Sequence, residues 1–285
     1  MKIALMGCGE VGSCYAQAWG AAGHTLVGIC ELRQDEEMGE RARRHGAALH
    51  AEPGAWLGEA DIVVSAVYGH AALEMARQSF PHMRQGAVYA DFTKASAPDM
   101  QAAAAAAAER NTDFTDVAIM GAIALLAERT PLLCAGTGTD AVLRLAESGG
   151  APARAIQGAA GDAVRLKLLR SIFTKGLEAL AVECLVTAER KGLRETLFRV
   201  LSDIDQGSLR ETMESMVRTH IVHAGRRRNE VVEARRQMEL AGVPAIVLAG
   251  VQQRFEHTLA QQQARPYAGQ TTADALAWLG APARP

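Results

Sequence analysis

Short apolar runs alternate with helical patterns through the first half of the chain. Ile3 to Met6 is an apolar run of strand length. Residues 10–22 follow as a helix, with Ala16, Ala18, Trp19 and Ala22 as its apolar positions. Leu26 to Cys30 reads as a second strand, and Ile62 to Val67, after Asp61, as another. Val88 to Asp91 follows a turn at Gly86, and Phe114 to Ile119 and Leu132 to Ala135 complete the set. Continuous apolar strands separated by helices predict an α/β fold: a doubly wound parallel sheet covered by helices on both faces. Residues 102–108 are seven consecutive alanines, the interior of a helix that starts near Ala97-Pro98.

After about residue 158 the strand-like runs nearly vanish. Residues 161–191 form one long helical pattern without proline, with Gly176 as its only interior glycine. Helical patterns continue through 195–205, 209–240 and 244–263, and Leu240-Ala241-Gly242-Val243-Pro244 is a stop and restart. The expected organisation is therefore an α/β domain over 1–158 and an all-helical domain over 159–285, opened by a long interdomain helix. There is no internal repeat.

Composition narrows the function classes. Charged residues are 22% of the 285 and the formal net charge is −2, so nothing favours nucleic acid or an acidic membrane as partner. Aromatic residues are only 5%, too few for a platform that stacks single-stranded bases. The cysteines Cys8, Cys14, Cys30, Cys134 and Cys184 are odd in number and scattered, with no C-x-x-C pair. They imply neither a zinc site nor a disulfide framework, and reduced thiols fit a cytoplasmic protein. His220 and His223 lack a third ligand at recognisable spacing, so no metal is expected. The apolar start, Met1 to Cys8, is too short for a signal-peptide core, and no run is long enough to span a membrane.

Gly7-Cys8-Gly9-Glu10-Val11-Gly12 is a G-x-G-x-x-G motif that directly follows a strand and opens a helix. In that context it is a dinucleotide fingerprint. Gly7 permits the tight turn, Gly9 lets backbone approach a pyrophosphate, and Gly12 lets the helix pack closely on the strand. The helix N-terminus then presents free N–H groups to the phosphates. Glu31 stands near the expected acidic position, 19 residues after Gly12, where a carboxylate accepts hydrogen bonds from ribose hydroxyls. Arg33 instead suits a 2′-phosphate, and both residues would also be at home as solvated surface charges. The acidic residue tips the expectation to NAD, with NADP the alternative.

These features resemble the β-hydroxyacid dehydrogenase superfamily, which includes 3-hydroxyisobutyrate, tartronate semialdehyde and 6-phosphogluconate dehydrogenases, with the imine reductases as cousins. The resemblance runs through Gly7–Gly12, Gly23-His24, Ala60-Asp61-Ile62-Val63-Val64, Asp91-Phe92-Thr93 and Asp116-Val117-Ala118-Ile119-Met120-Gly121-Ala122. It ends with Gly158-Ala-Ala-Gly161-Asp-Ala-Val-Arg-Leu-Lys167, similar to the stretch that opens the family's interdomain helix. Leu166 to Ser171 and Thr174 to Leu180 resemble a branch of NAD-binding, phosphogluconate dehydrogenase-like proteins with a C-terminal domain of unknown function. True 6-phosphogluconate dehydrogenases have a much longer helical domain. The resemblance implies a Rossmann domain that binds NAD or NADP, a helical domain that completes the active site, and a homodimer. It implies Val67 and Thr93 in the cofactor pocket, Met120, Gly121, Ala122 and Ser171 at the substrate, and Glu230 in an acidic place near it. The departures are Met120 for the family's substrate-binding serine, Ala122 for its second glycine, Ala163 for the last glycine before the lysine, and Ser171 for its asparagine. Met120 hints at a less polar or bulkier substrate.

Helical spacing draws attention to the same place. Lys167, Ser171, Thr174 and Glu178 recur at i, i+4, i+7 and i+11 and share one face of a helix that is partly buried. A polar stripe there needs partners or a ligand. Oxidation of a hydroxy acid requires a base for the hydroxyl proton, and a lysine whose pKa is pulled towards neutrality can serve in both directions. Lys167 is the candidate for that role. Ser171 either orients it, touches substrate, or is a plain polar helix residue, and Arg226-Arg227-Arg228-Asn229-Glu230 also reads as a solvated turn. The expected activity is hydride transfer between a nicotinamide and a 3-hydroxy acid, its carbonyl form, or a related alcohol. The rivals are reduction of a C=N bond, against which the lysine weighs, and a non-catalytic dinucleotide sensor.

Overall fold

In the computed structural model, which describes residues 1–202 and 204–282, the chain divides into two compact units, Met1–Ser171 and Ile172–Pro285. The apolar runs of the first unit become strands. They are β1 (Lys2–Met6), β2 (Thr25–Cys30), β3 (Ala48–His50), β4 (Ile62–Ser65), β5 (Val88–Asp91), β6 (Asp113–Ile119), β7 (Leu132–Gly136) and β8 (Ala153–Ala155). Among the described residues they form one sheet in the order β3-β2-β1-β4-β5-β6-β7-β8. β3 through β6 run parallel, the arrangement of a dinucleotide-binding fold with its topological switch between β1 and β4.

The structure corrects the sequence expectation in two places here. β3 and β8 leave no apolar run, because each is three residues long with no fully buried side chain. The sheet is also not wholly parallel, since β7 runs antiparallel to β6. The connection between those strands closes on itself, Met120 N–H donating to the Pro131 carbonyl at 2.8 Å, and returns the chain beside the strand it left.

Helices cover both faces: α1 (Glu10–Ala21), α2 (Glu36–Arg44), α3 (Ala72–Ser79), α4 (Ala97–Ala108), the single turn α5 (Ile123–Leu126) and α6 (Thr139–Ser148). Neighbouring strand residues face opposite sides. Ile3 and Leu5 join Tyr15 and Trp19 of α1 and Leu145 of α6, while Ala4 and Met6 join Ala72 and Ala76 of α3 and Met100, Ala103 and Ala107 of α4. Both sides of β1 are thus buried, which is why its sequence is apolar throughout. The alanine run lies in α4, whose first turn is capped by the Ser96 hydroxyl accepting from Asp99 N–H at 3.3 Å.

α7 (Asp162–Arg190) begins in the first unit, where Ala163 and Val164 are buried, and continues into the second. The second unit adds α8 (Arg194–Leu201), α9 (Leu209–His220), α10 (Ala224–Leu240), α11 (Ile246–Ala264) and α12 (Thr272–Gly280). Residue 203, inside the helical pattern expected over 195–205, and residues 283–285 lie outside the described residues. The single pattern over 209–240 breaks between α9 and α10 at Ile221. That side chain is fully buried beside Ala275 and Trp278, and its carbonyl accepts from Gln262 Nε2 at 3.1 Å. α12 supplies that small core, yet only Ala275 and Trp278 are buried along it, too little to register as a periodic pattern. Gly242, at φ +68°, ends α10 with Val243 N–H returning to the Met238 carbonyl at 2.9 Å. Among the described residues no helix is long and apolar enough to cross a membrane.

Candidate functional site

The turn from β1 into α1 assigns each glycine a distinct physical task. Gly7 has φ +87°, and a Cβ on it would lie 2.9 Å from the Ala66 backbone just past β4. A Cβ on Gly12 would stand 2.1 Å from the Gly7 carbonyl oxygen, so only glycine lets α1 sit this close to the turn. Gly9 is exposed, and its Cβ would meet nothing within 4 Å. It is also the N-cap of α1, with no side-chain cap, and Glu10 and Val11 follow in the first turn. Open space over an uncapped helix N-terminus fits a pyrophosphate. Cys8, between the glycines, is buried, and burial pushes its thiol pKa up. Val67 lies just beyond β4, its backbone N 3.0 Å from where a Gly7 Cβ would stand.

The end of β2 completes this loop. Glu31 accepts from Cys8 N–H at 3.0 Å and from Leu32 N–H at 2.9 Å, which holds its carboxylate against the glycine turn. Arg33 is turned away into an ion-pair network with Asp35 at 2.6 Å and Glu37 at 3.2 Å. Arg41, which the sequence did not single out, bonds the Cys8 carbonyl at 2.9 Å and Glu37 at 3.1 Å.

Asp91, the last residue of β5, and Asp116, in the middle of β6, are two buried acids in register. Asp91 accepts from Thr93 N–H at 2.8 Å, and burial raises its pKa to about 6, with the charge of Asp116 contributing. Thr93 is itself buried, its hydroxyl accepting from Ala95 N–H at 3.1 Å. Asp116 Oδ2 accepts from Gly161 N–H at 3.0 Å and Val164 N–H at 3.2 Å, capping the start of α7 from across the sheet. Its Oδ1 is buried without a hydrogen-bond partner among the described residues. Burial raises the Asp116 pKa although these backbone bonds oppose the shift.

Lys167 stands one turn further along α7 and is half-buried. Burial pulls its pKa below the ordinary lysine range, the charge of Lys94 adds to that shift, and Asp116 opposes it. Ser171 donates its hydroxyl to the Lys167 carbonyl at 2.9 Å, so that hydroxyl is engaged with the helix backbone rather than with the Lys167 ammonium. Met120 packs with Ala118, Ala135 and Ala163. Its N–H is given to the Pro131 carbonyl. Gly121 is exposed and lies against Thr130, and Ala122 caps the short α5. Glu230 lies in the second unit, exposed on α10 and paired with Arg226. Lys94 and the capping role of Asp116 were not foreseen, because neither shows as a spacing along the chain. Among the described residues no three His, Cys, Asp or Glu side chains gather to hold a metal ion.

A family model described as the NAD binding domain of 6-phosphogluconate dehydrogenase covers residues 2–148, and one described as a domain of unknown function (DUF1932) covers 188–258. The chain is 26% identical over 257 residues to an uncharacterized 28.5 kDa protein in the 7S RNA 5′ region of Methanothermus fervidus, spanning 90% of this chain and 98% of that protein. It is similar to the conserved protein MTH1747, whose structure is described as similar to 3-hydroxyacid dehydrogenases. That match has 27% identity and a TM-score of 0.63 over 93% of this chain and 98% of the other. An imine reductase from Myxococcus stipitatus, solved with NAD+, has a TM-score of 0.77 over 98% of each chain at 15% identity, a likeness of fold.

Proposed function

Because the chain belongs to the family of the NAD binding domain of 6-phosphogluconate dehydrogenase, we propose that it is an oxidoreductase that moves a hydride between a nicotinamide and a 3-hydroxy acid or related alcohol, with Lys167 as general acid and base. One observation carries this reading: a half-buried lysine with a lowered pKa at the carboxyl edge of a sheet whose glycine turn fits a dinucleotide. The bound dinucleotide supplies the hydride acceptor or donor. Gly9 and the free N–H groups of Glu10, Val11 and Gly12 would hold its pyrophosphate, and Val67 and Thr93 would border it. Lys167 as the neutral amine would take the proton from the hydroxyl oxygen as the carbon bearing that oxygen gives up its hydride to the nicotinamide, and its ammonium would return a proton in the reverse direction.

Glu31 and Arg33 favour NAD. The Glu31 carboxylate faces the glycine turn, where it can accept from a ribose hydroxyl and repel a 2′-phosphate. Arg33 would have to abandon Asp35 and Glu37 to reach that phosphate. Tighter binding of NADH than of NADPH is the expected result.

The helical unit supports a homodimer. It exposes Phe198 (50%), Val200 (68%), Leu209 (59%), Met216 (55%) and Ile246 (78%), an apolar load that a second copy would cover. Sedimentation should give twice the chain mass. Free cysteines throughout the described residues suit a reducing compartment such as the cytoplasm.

The test is nicotinamide absorbance with short, branched, sugar-derived and aryl 3-hydroxy acids, their carbonyl forms and cyclic imines, each with both cofactors. Turnover of a hydroxy acid is expected, and Lys167→Ala should lower it by about 10²–10⁴-fold with NADH binding intact. Full turnover in Lys167→Ala would remove Lys167 from the mechanism. Reduction of imines alone would change the reaction class, and silence throughout with cofactor bound would favour a dinucleotide sensor.

A further inference from the structure

We propose that Lys94 anchors the acidic group of the substrate, so that the substrate is an anion with its charged end at Lys94 and its reacting end at Lys167. The proposal rests on the hydride-transfer reading and adds the residue that selects the substrate class.

The backbone around Lys94 is held on every side. On either side of it Thr93 N–H donates to Asp91 and Ala95 N–H to the Thr93 hydroxyl, and Phe92 and Ala95 are buried. The absence of a side chain at Gly69 lets the segment after β4 pack on the Lys94 carbonyl, where a Cβ would stand 2.8 Å away. The Lys94 side chain itself is exposed. A cation on a fixed base is what a charge-reading subsite requires, because little order is lost on binding.

The same contacts bring Lys94 to the edge that holds Lys167. Gly161, at φ +97°, sets the start of α7 against the first turn of α4, its Cβ position 2.9 Å from the Ala97 carbonyl. Ala160 and Val164 share a core with Ala97 and Met100. Lys94 precedes Ala97 by three residues, and Lys167 follows Gly161 by six. Asp91 below one lysine and Asp116 below the other are register partners. Among the described residues neither ammonium has a carboxylate within ion-pair distance. Burial lowers the Lys167 pKa, and the charge of Lys94 adds to that shift.

Two like charges on neighbouring supports disfavour each other until an anion arrives. Met120, which the resemblance sets at the substrate, is poorly equipped to bind an acidic group. Met120 has no hydroxyl, and its N–H is committed to Pro131. Lys94 supplies what Met120 lacks, a charge-assisted donor.

The test is calorimetric titration of the full chain, saturated with NADH, with hydroxymalonate, oxalate and inorganic phosphate. At least one should bind, and the carboxylate and phosphate arms separate the two kinds of acidic group. Lys94→Gln should weaken that binding by about 10- to 100-fold, while Lys94→Arg stays within a few fold of wild type. Lys167→Met should retain most of it. Because Lys94 is exposed, the melting temperature of Lys94→Gln should match wild type, which separates lost binding from lost fold. Equal affinity in Lys94→Gln and wild type, or no binding of any of the three anions to wild type, overturns the proposal. Binding is read without turnover. Lys94-dependent binding in a chain that transfers no hydride would sink the dehydrogenase reading alone, and turnover indifferent to Lys94 would sink this one alone.

Discussion

Two alanine substitutions three residues apart, Gly9→Ala and Gly12→Ala, should separate cofactor binding from folding. At Gly12 the new methyl would lie 2.1 Å from the Gly7 carbonyl oxygen, about 1.3 Å inside the 3.4 Å at which ordinary contact begins. Either α1 slides outward or the glycine turn shifts, and both disturb the packing of Tyr15 and Trp19 beneath α1. Overpacking of this kind costs about 1–3 kcal/mol. For a unit of this size, Met1–Ser171, the melting temperature should fall by about 2–12 °C. At Gly9 the methyl would meet nothing within 4 Å, and the backbone, at φ −73° and ψ −155°, already suits an L-residue. The gain from a stiffer unfolded chain and the loss of a preferred N-cap residue nearly offset, leaving stability within about 1 kcal/mol of wild type. The methyl would nonetheless occupy the approach of the pyrophosphate, so NADH affinity should drop by at least about tenfold. Thermal melts and NADH fluorescence titrations on the two variants read the two effects independently. The reasoning is refuted if Gly9→Ala binds NADH as tightly as wild type, or if it melts as low as Gly12→Ala.

Three further outcomes follow from the same geometry. Asp91, with a pKa of about 6 against 3.8 for a free carboxyl, binds protons more readily folded than unfolded, so its contribution is full below about pH 4 and is lost as pH rises through about 6. Urea denaturation should show stability declining across that interval by on the order of 1–3 kcal/mol, and Asp91→Asn should flatten the decline. Hydroxy-acid oxidation should rise with pH to a plateau whose midpoint lies below the ordinary lysine value. Lys94→Gln should move that midpoint upward in a pH–rate profile, since removing a neighbouring positive charge favours the protonated amine; an unmoved midpoint would mean the two charges do not interact. Ala127 holds φ +47° and ψ −132°, a strained conformation for any residue with a Cβ, so Ala127→Gly should raise stability by about 1 kcal/mol in a thermal melt.

The glycine turn, the strands of β1, β2, β4, β5, β6 and β7, the α4 alanine helix and the long α7 were all legible in the chain. Each is a local event: a strand buried on both faces must be apolar throughout, and a glycine turn between strand and helix has few other uses. β3, β8 and α12 were not legible, because short elements with little burial leave no periodicity. The reversal of β7 was hidden for another reason. Strand direction is decided by how the intervening segment closes, and here it closes through a bond between Met120 and Pro131.

At the candidate site the boundary falls in the same place. Sequence alone determined that a dinucleotide turn precedes a lysine on a helix, since both are patterns among neighbours along the chain. Only the tertiary structure decided what surrounds that lysine. Asp116 reaches the start of α7 from β6, Lys94 comes forward on the loop after β5, and Ser171 turns its hydroxyl back to the helix. Electrostatic coupling and hydrogen bonding depend on distances through space, and residues tens of positions apart in the chain acquire those distances only when the sheet is built.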